Sequence, residues 1–460
     1  MNERPAKITL DGWDRRYDEL RRGGLVEPPY GGPLRRHVEE GGDRRLLNLK
    51  FDNSPAALRL WNFLLTEEDR LFLARDAGKR IVASMKDLGT VPVMACSLPD
   101  TVAFYPDGAW WIPCVMEMHD ASLAQADALG FDESFCPVRA MLGAMLSGEH
   151  YPRPDLLTCA VGATCDDFSA IAQRLEGLGY PILWWELPAR RKPEAGEDAV
   201  ALPGGFSAPA QQVEFVKSEL QRVRQALEAA RGMPLTDEAM ADGIRAANKV
   251  RRLLGELRRL AYSAGACPMP ALEMLIAEML AIHFCSDRAE TIAVLTDLLA
   301  EARRRAHAGA GVLSGDAVGV FWVNPVADLR VMNLLEDCGG RIAGSDYMFC
   351  HALEEIPEDL PAMEALARTA LADPMAGSSS DRAEQICRGI RLFGARAAVV
   401  CRIPGASHCA FEGAIICDEV RSRLGIPAME IEVPPVSDAM LPTLRTRLEA
   451  LIEAARSRRK

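Results

Sequence analysis

Residues 155–178, DLLTCAVGATCDDFSAIAQRLEGL, decide the fold. The apolar run at 155–161 predicts a β-strand, a short turn follows at 162–164, and amphipathic spacing predicts a helix over 166–178. The C-terminal part has the same order, with a strand predicted at 397–401, a Pro-Gly loop and a helix at 411–424. Short apolar strands that alternate with amphipathic helices are typical of a doubly wound parallel sheet.

The remaining pattern extends this architecture to two lobes. Further strands are predicted at 90–95, 109–115, 181–187, 317–323, 341–343 and 428–433, and helices at 56–72, 212–231, 237–263, 271–284, 288–307 and 381–392. The predicted fold class is α/β, with two doubly wound parallel-sheet lobes of the Rossmann or flavodoxin type. We predict a helical N-terminal extension, a first lobe, a helical middle section and a second lobe at 1–85, 86–200, 210–308 and 315–460. The Pro- and Gly-rich segment 190–210 indicates a linker.

Composition limits the function. The chain of 460 residues has 53 basic and 65 acidic residues, a net charge of −12, which disfavours sequence-independent binding of nucleic acid. No apolar run has membrane-spanning length, and the N-terminus lacks the apolar core of a signal peptide, so we expect a cytoplasmic protein. The sequence also has no Gly-x-x-x-x-Gly-Lys-Ser/Thr motif, and hence no P-loop for nucleotide phosphates.

Thirteen cysteines are the most informative feature. In a cytoplasmic chain they are not expected to form disulfides, and most are interpreted as packing residues. Three of them, Cys136, Cys165 and Cys409, fall at predicted helix starts, where unpaired N–H groups and the helix dipole stabilise a thiolate. Three thiolates suit an iron–sulfur cluster with one open iron, or zinc with a bound water. Packing is the alternative for all three.

At these residues the sequence resembles the benzoyl-CoA reductase / 2-hydroxyacyl-CoA dehydratase family. The resemblance rests on Cys-x-x-x-Arg at Cys136 to Arg139, on the block PDLLTCAVGATCDDF with Cys165, and on GARAAVVCRIPGASHCAFEGAIICDEVRSRLGIPAMEIEV with Cys409. It covers roughly residues 85 to 450. It implies a two-lobed α/β fold with a 4Fe-4S cluster held by the three cysteines.

The resemblance also implies a function and its partners. The expected chemistry is one-electron reduction of an acyl-CoA thioester to a ketyl radical anion, followed by 2-hydroxyacyl-CoA dehydration or benzoyl-CoA-type ring reduction. The expected partners are a homologous second subunit or a second copy of the chain, and a separate ATP-hydrolysing iron–sulfur activator. That activator fits the missing P-loop. Arg139 is a candidate contact of the cluster or of a CoA phosphate, and His408 a candidate proton donor.

Other interpretations stay open. A branch of the family carries a double-cubane 8Fe-9S cluster and reduces small molecules, and a second set of thiolates for it could come from Cys114, Cys159, Cys338, Cys350, Cys387 and Cys401. The chain could also be a non-catalytic partner subunit, or a zinc hydrolase with a His or carboxylate at the same cavity. Asp166 and Asp167 are interpreted simply as charges that complement a helix dipole.

Overall fold

The computed structural model describes residues 4–26, 31–39, 44–87, 89–106, 119–163, 165–283, 285–407, 411–435 and 438–458. It confirms the predicted fold class, because the described residues contain two four-stranded parallel sheets surrounded by helices. Of the predicted strands, the one at 109–115 lies outside these ranges.

The N-terminal part is a helical layer with a small antiparallel ladder, in which β1 (Lys7–Ile8) pairs with β2 (Phe51–Asp52). The helices of this part are α1 (Leu10–Arg22), α2 (Arg35–Glu39), α3 (Pro55–Leu65) and α4 (Glu67–Asp76), with a 3-10 turn at Arg44–Asn48. Ser54 caps α3, since its side chain accepts the N–H of Ala57 at 3.2 Å. Thr66 ends α3 and begins α4, which divides the single helix predicted at 56–72 into two.

The first lobe contains one parallel sheet. Its strands are β3 (Arg80–Met85), β4 (Thr101–Phe104), β5 (Leu156–Gly162) and β6 (Ile182–Leu187). Its helices are α5 (Val91–Cys96), α6 (His119–Ala128), α7 (Ala140–Ser147) and α8 (Asp166–Gly177), and a 3-10 turn spans Pro137–Arg139. Strand β3 is an inner strand, although it lies in the segment that the sequence assigned to the helical extension.

A hairpin and four long helices separate the two lobes. The hairpin pairs β7 (Ala199–Ala201) with β8 (Ser207–Pro209) around a 3-10 turn at Pro203–Gly205. The helices are α9 (Ala210–Arg231), α10 (Asp237–Ser263), α11 (Ala271–His283) and α12 (Arg288–His307), and all four were predicted to within two residues at each end. Side-chain caps fix two of the starts: Thr236 accepts the N–H of Ala239, and Asp287 that of Glu290.

The second lobe has the other parallel sheet. Its strands are β9 (Val318–Val323), β10 (Gly340–Asp346), β11 (Ala397–Arg402) and β12 (Ala428–Glu432). Its helices are α13 (Arg330–Asp337), α14 (Ala362–Leu371), α15 (Ser379–Phe393), α16 (Gly413–Leu424) and α17 (Leu441–Ser457), with 3-10 turns at Met348–Leu353, Pro374–Ala376 and Asp438–Met440.

The two sheets share one topology. Their orders are β4-β3-β5-β6 and β10-β9-β11-β12, so in each the first strand of the lobe lies between the second and the third. The chain therefore reverses its direction of winding between β3 and β5, and again between β9 and β11. The carboxyl ends of strands at such switch points form the crevice in which doubly wound folds bind ligands.

Two further predictions about local structure were wrong. Residues 90–95 were expected to be a strand, but α5 begins there because the Asp87 carboxylate accepts the N–H groups of Thr90 and Val91 at 3.1 and 2.6 Å. A short apolar run does not by itself distinguish a helix from a strand. The predicted linker at 190–210 contains the β7–β8 hairpin, anchored by Arg190, whose guanidinium donates to the carbonyls of Leu371 and Asp373.

One buried apolar cluster joins the N-terminal layer, the helical section and both lobes. The ion pair between Arg305 of α12 and Asp52 of β2 lies inside it, with both side chains at most 1% exposed. Such a pair fixes the register of the two elements, because removal of either partner leaves a buried charge. No helix within the described ranges combines the length and the apolar character that a membrane span needs.

Candidate functional site

Cys165 lies at the switch point of the first lobe. It is the N-cap residue of α8, directly after the turn that follows β5, as the sequence predicted. Its side chain is 6% exposed and its Sγ lies 3.6 Å from Oδ2 of Asp167. Burial raises the pKa of the Cys165 thiol, although Lys86 and the backbone N–H groups of Phe168 and Asp167 act in the opposite direction. In the metal-free chain burial therefore outweighs the helix terminus that was expected to favour a thiolate.

Cys136 also lies where a helix begins. It is the N-cap of the 3-10 turn 137–139, which continues into α7, and Pro137 takes the first helical position. The half-buried Cys136 packs against the same apolar cluster that contains Cys165. The turn that it opens packs against α8, so the structure brings these two predicted ligands into one region.

Cys409 and His408 lie outside the described residues, and Ser407 is the last described residue before them. Ser407 donates its N–H and its O–H to Oδ2 of Asp167, at 3.1 and 2.9 Å. Two residues earlier, Gly405 has a φ of 79°, and a Cβ there would lie 2.4 Å from the carbonyl oxygen of Phe135. The loop that leads to Cys409 thus contacts both the turn before Cys136 and the helix that Cys165 opens.

Arg139 is paired within the first lobe. Its Nε lies 3.3 Å from Oδ1 of Asp127, and its Nη1 donates to the Phe135 carbonyl at 3.2 Å. The side chain is 8% exposed. Arg139 therefore stabilises the turn at Cys136, and its predicted contact with a cluster or a phosphate stays a prediction.

Asp167 is the residue whose role the sequence analysis missed. Asp166 and Asp167 both lie in the first turn of α8, but Asp166 is exposed and Asp167 is 4% exposed. Asp167 binds Ser407, which is 240 residues away along the chain. Only spatial proximity distinguishes the two neighbouring aspartates, so no local pattern could have identified Asp167.

The cysteines proposed as a second set do not form one metal-holding group where they are described. Cys114 lies outside the described ranges. Cys387 is buried between α15 and its sheet, Cys159 and Cys401 lie within β5 and β11, and Cys338 ends α13 near the carbonyl of Arg445. Among the described side chains, no group of three or more His, Cys, Asp or Glu is placed to hold a metal ion. Cys409 is not among these side chains.

Cys350 belongs to a buried polar network instead. Its thiol donates to Oε2 of Glu278 at 3.1 Å and accepts from Arg258 at 3.3 Å. Glu278, fully buried in α11, also pairs with Arg258 at 2.8 Å and accepts the hydroxyls of Ser345 and Tyr262. Burial, reinforced by the Glu278 carboxylate, raises the pKa of Cys350 well above its ordinary value. Cys350 is therefore a protonated hydrogen-bond donor.

A cavity of about 970 Å³ opens beside this network, between α10, the β7–β8 hairpin and α15. Its volume is in the upper range for small-molecule sites. Six arginines and four acidic residues line it, so the wall is cationic in a chain of net negative charge: Arg251, Arg252, Arg258, Arg259, Arg368, Arg388, Asp346, Glu354, Glu355 and Asp359.

The arginines of this wall differ in their pairing. Arg252 pairs with Glu355 and Arg368 with Glu364. Arg251 is 2% exposed, and among the described residues its guanidinium donates only to the backbone carbonyls of Glu354 and Gly89. Burial lowers its pKa to about 10. Arg259 and Arg388 have no carboxylate partner within the described chain. These cations remain available to an anionic ligand.

Buried charges connect the cavity with the cysteine-bearing loops. Asp346, in the cavity wall, pairs with Arg382 at 2.8 Å, and Arg382 pairs with Glu412 at 2.6 Å. Glu412 comes three residues after Cys409. On its other side Asp346 binds His351, whose second ring nitrogen binds Asp373 at 2.9 Å. Burial alone would lower the pKa of His351, but Asp346 and Asp373 raise it above its ordinary value.

These features define a class of protein: a two-lobed α/β chain with Cys165 at the switch point of the first lobe and, after β11 of the second, a loop that leads to Cys409. The family model described as 2-hydroxyglutaryl-CoA dehydratase, D-component, matches residues 94–454. Because this match covers well over half of its length, the chain belongs to that family, as the resemblance at the cysteines predicted. No curated protein matches the chain. The matched range begins after β3, so β3 and the turn that follows it lie outside it.

Proposed function

We propose that the chain is the iron–sulfur component of a low-potential enzyme that acts on acyl-CoA thioesters, by 2-hydroxyacyl-CoA dehydration or benzoyl-CoA-type reduction. The observation that carries this proposal is the pair of contacts that join three loops, Ser407 to Asp167 and Gly405 to Phe135. In a member of this family, contacts between the loop that leads to Cys409, the turn before Cys136 and the helix that Cys165 opens support one shared cofactor site.

The donor chemistry of the described residues fits a 4Fe-4S cluster. Cys136 and Cys165 both occupy N-caps, Cys165 receives backbone N–H groups, and both sulfurs contact one apolar cluster. Cysteine thiolates, hydrogen bonds to sulfur and a dry environment are the means by which proteins hold and tune such clusters. Cys136, Cys165 and Cys409 would hold the cluster, which would supply low-potential single electrons and an open iron as Lewis acid.

The protein's own residues would keep this site closed and aligned. Asp167 holds the Ser407 loop against α8, and Arg139 holds the turn at Cys136 through its bond to Phe135. The apolar residues around Cys165, such as Phe168 and Ile171, exclude water from the thiolates. His408, next to Cys409, is proposed as the group that delivers a proton to the substrate.

The cationic cavity is proposed as the site for the phosphates of the CoA thioester. Guanidinium groups bind phosphate in bidentate geometry, and Arg259 and Arg388 have no carboxylate partner among the described residues. The apolar side chains of Phe206 and Phe393 line the same cavity and offer surfaces for an adenine ring. Only the buried ion pair of Arg382 with Glu412 would separate a substrate bound there from the loop of Cys409.

The proposed partners complete the electron supply. We propose that the chain works with a homologous second subunit or a second copy of itself. A separate ATP-hydrolysing iron–sulfur protein would deliver the electrons, in agreement with the absence of a P-loop motif from this sequence. Anaerobic co-purification with and without ATP would test this pairing.

The test of the proposed function is the metal content of the anaerobically purified chain. About four iron and four acid-labile sulfide per chain are expected, with zinc absent. Alanine variants of Cys136, Cys165 and Cys409 should each lose most of the iron, whereas Cys387→Ala, which changes a cysteine in an apolar cluster, should retain it.

Three other results would redirect the proposal. About eight iron per chain would indicate the double-cubane cluster and a small-molecule reductase. Zinc in place of iron would indicate a hydrolase. No metal after reconstitution would overturn the electron-transfer function and leave a non-catalytic partner subunit.

A further inference from the structure

Lys86 occupies an unusual position at the switch point of the first lobe. It is the first residue after β3, and its backbone has a φ of 55°, in the left-handed region that only a few per cent of non-glycine residues adopt. The residue is 7% exposed. A buried lysine is rare unless its ammonium group is paired, because transfer of a charge out of water is costly.

The turn around Lys86 is held firmly. The carboxylate of Asp87 accepts hydrogen bonds from the Thr90 hydroxyl at 2.5 Å, from the Ser84 hydroxyl at 3.3 Å, and from the N–H groups of Thr90 and Val91. These bonds fix the chain on both sides of Lys86. Strained backbone persists where the surrounding structure determines it in this way, and it is concentrated at functional sites.

The described part of the chain gives the Lys86 ammonium no hydrogen bond and no ion pair. The carboxylates of Asp87 and Asp373 are both engaged with other partners. Asp87 is saturated by the turn, and Asp373 binds the His351 ring at 2.9 Å and the N–H of Met375 at 2.8 Å. The Lys86 ammonium is therefore available to a group other than the described residues.

The second lobe offers an internal comparison. Asn324 is the first residue after β9 and has a φ of 66°, so it corresponds to Lys86 in the shared topology. Its side chain is satisfied, since it donates to the Cys401 carbonyl at 3.0 Å and accepts from Arg382 at 2.7 Å. The conformation alone thus requires no lysine, and in the second lobe a neutral, fully bonded amide occupies the equivalent place.

The register of the sheet places Lys86 beside the strand that leads to Cys165. Met85 pairs with Cys159 across β3 and β5, so Lys86 follows at the edge where β5 turns towards Cys165. The charge of Lys86 also helps to lower the pKa of Asp373. Lys86 therefore lies at the same carboxyl edge of the sheet as the turn that leads to Cys165, the second predicted ligand of this lobe.

We propose that Lys86 is a positioning residue of the cysteine site, which holds a fixed positive charge against the negative charge of the thiolate-bound cluster. This inference rests on the proposed function. A positive charge beside a cluster stabilises the reduced form, so Lys86 would raise the reduction potential of the site and favour cluster retention.

The experiment compares Lys86→Met, Lys86→Arg and Lys86→Gln with the unchanged chain. Lys79→Met is the matched control, since Lys79 precedes the opposite end of the same strand. Two quantities are measured: the urea midpoint of the iron-free protein, and the reduction potential of the anaerobically loaded protein by a spectroscopically monitored titration. Lys86→Met should lower the potential and the iron content, Lys86→Arg should restore both, and Lys79→Met should change neither.

The iron-free Lys86→Met protein should be at least as stable as the unchanged chain, because the ammonium that is lost makes no hydrogen bond or ion pair within the described chain. A markedly less stable iron-free variant would show a purely structural lysine and overturn the proposal, and so would an unchanged potential in Lys86→Met and Lys86→Gln. If the unchanged chain itself binds no iron, the proposed function fails first. If it binds iron and the variants match it, only the role of Lys86 fails.

Discussion

Replacement of Asp167 by alanine should detach the Ser407 loop from α8. Asp167 accepts two hydrogen bonds from Ser407, at 3.1 and 2.9 Å, and one of the donors is a backbone N–H. A hydrogen bond to a charged group contributes about 1.5–3 kcal/mol. Since Ser407 is only partly buried, we take the lower value for each bond and expect about 3 kcal/mol in total. That loss corresponds to about a 100-fold change in an opening equilibrium.

Hydrogen exchange at the Ser407 amide measures this directly, because local opening limits exchange of a bonded N–H. In Asp167→Ala the amide should exchange about 100-fold faster than in the unchanged protein. Asp167→Asn keeps one acceptor oxygen but loses the charge, so its effect should be smaller, about tenfold. In a double-mutant cycle with Ser407→Ala, the coupling free energy should be about 1.5 kcal/mol.

Asp166→Ala is the matched control. Asp166 lies in the same first turn of α8 but is exposed, so its loss removes only an interaction with the helix dipole, about 0.3–1 kcal/mol. Exchange at Ser407 that is no faster in Asp167→Ala than in Asp166→Ala would refute the reasoning, because the two carboxylates would then act only on their own helix. A coupling free energy near zero would refute it independently.

Three further predictions concern Gly405, His351 and two arginines of the cavity wall. Gly405→Ala should destabilise the protein by about 1–3 kcal/mol more than Gly425→Ala, since both glycines have left-handed φ values but only a Cβ at 405 overlaps the Phe135 carbonyl. Equal urea midpoints for the two variants would contradict this. Stability should be full below the ordinary histidine pKa of about 6.5 and fall as the pH rises through the raised pKa of His351, because its imidazolium then loses its proton between Asp346 and Asp373. Urea midpoints measured from pH 6 to 9 should show this fall, and a His351→Gln protein with the same pH dependence would exclude His351 as its cause. Replacement of both Arg259 and Arg388 by alanine should weaken CoA binding by on the order of tenfold or more in calorimetric titrations. Arg245→Ala should have no effect, because Arg245 lies on the same helix as Arg259 but is paired with Asp242. Titration with ATP in place of CoA tests whether the site binds any nucleotide.

The sequence predicted the local structure around the cysteines well. Apolar periodicity and helix-start signals place Cys136 and Cys165 at N-caps, and the structure confirms both. The helices of the middle section were predicted with nearly correct bounds, because their caps, such as Thr236, and their apolar stripes are local features. The same signals failed at 90–95, where a run of five or six apolar residues contains no period and the capping Asp87 lies just outside it.

By itself the sequence determined the two-lobed α/β class, the order of its elements and the helix starts that carry two candidate ligands, because hydrophobic periodicity and capping act within a few residues. Only the tertiary structure decided that Asp167 and not Asp166 holds the Ser407 loop, that Cys350 is a hydrogen-bond donor to Glu278, and that Lys86 is buried without a partner in the described chain. These are relations between residues that lie tens to hundreds of positions apart. They depend on how sheets and helices pack, which is fixed by the fold as a whole.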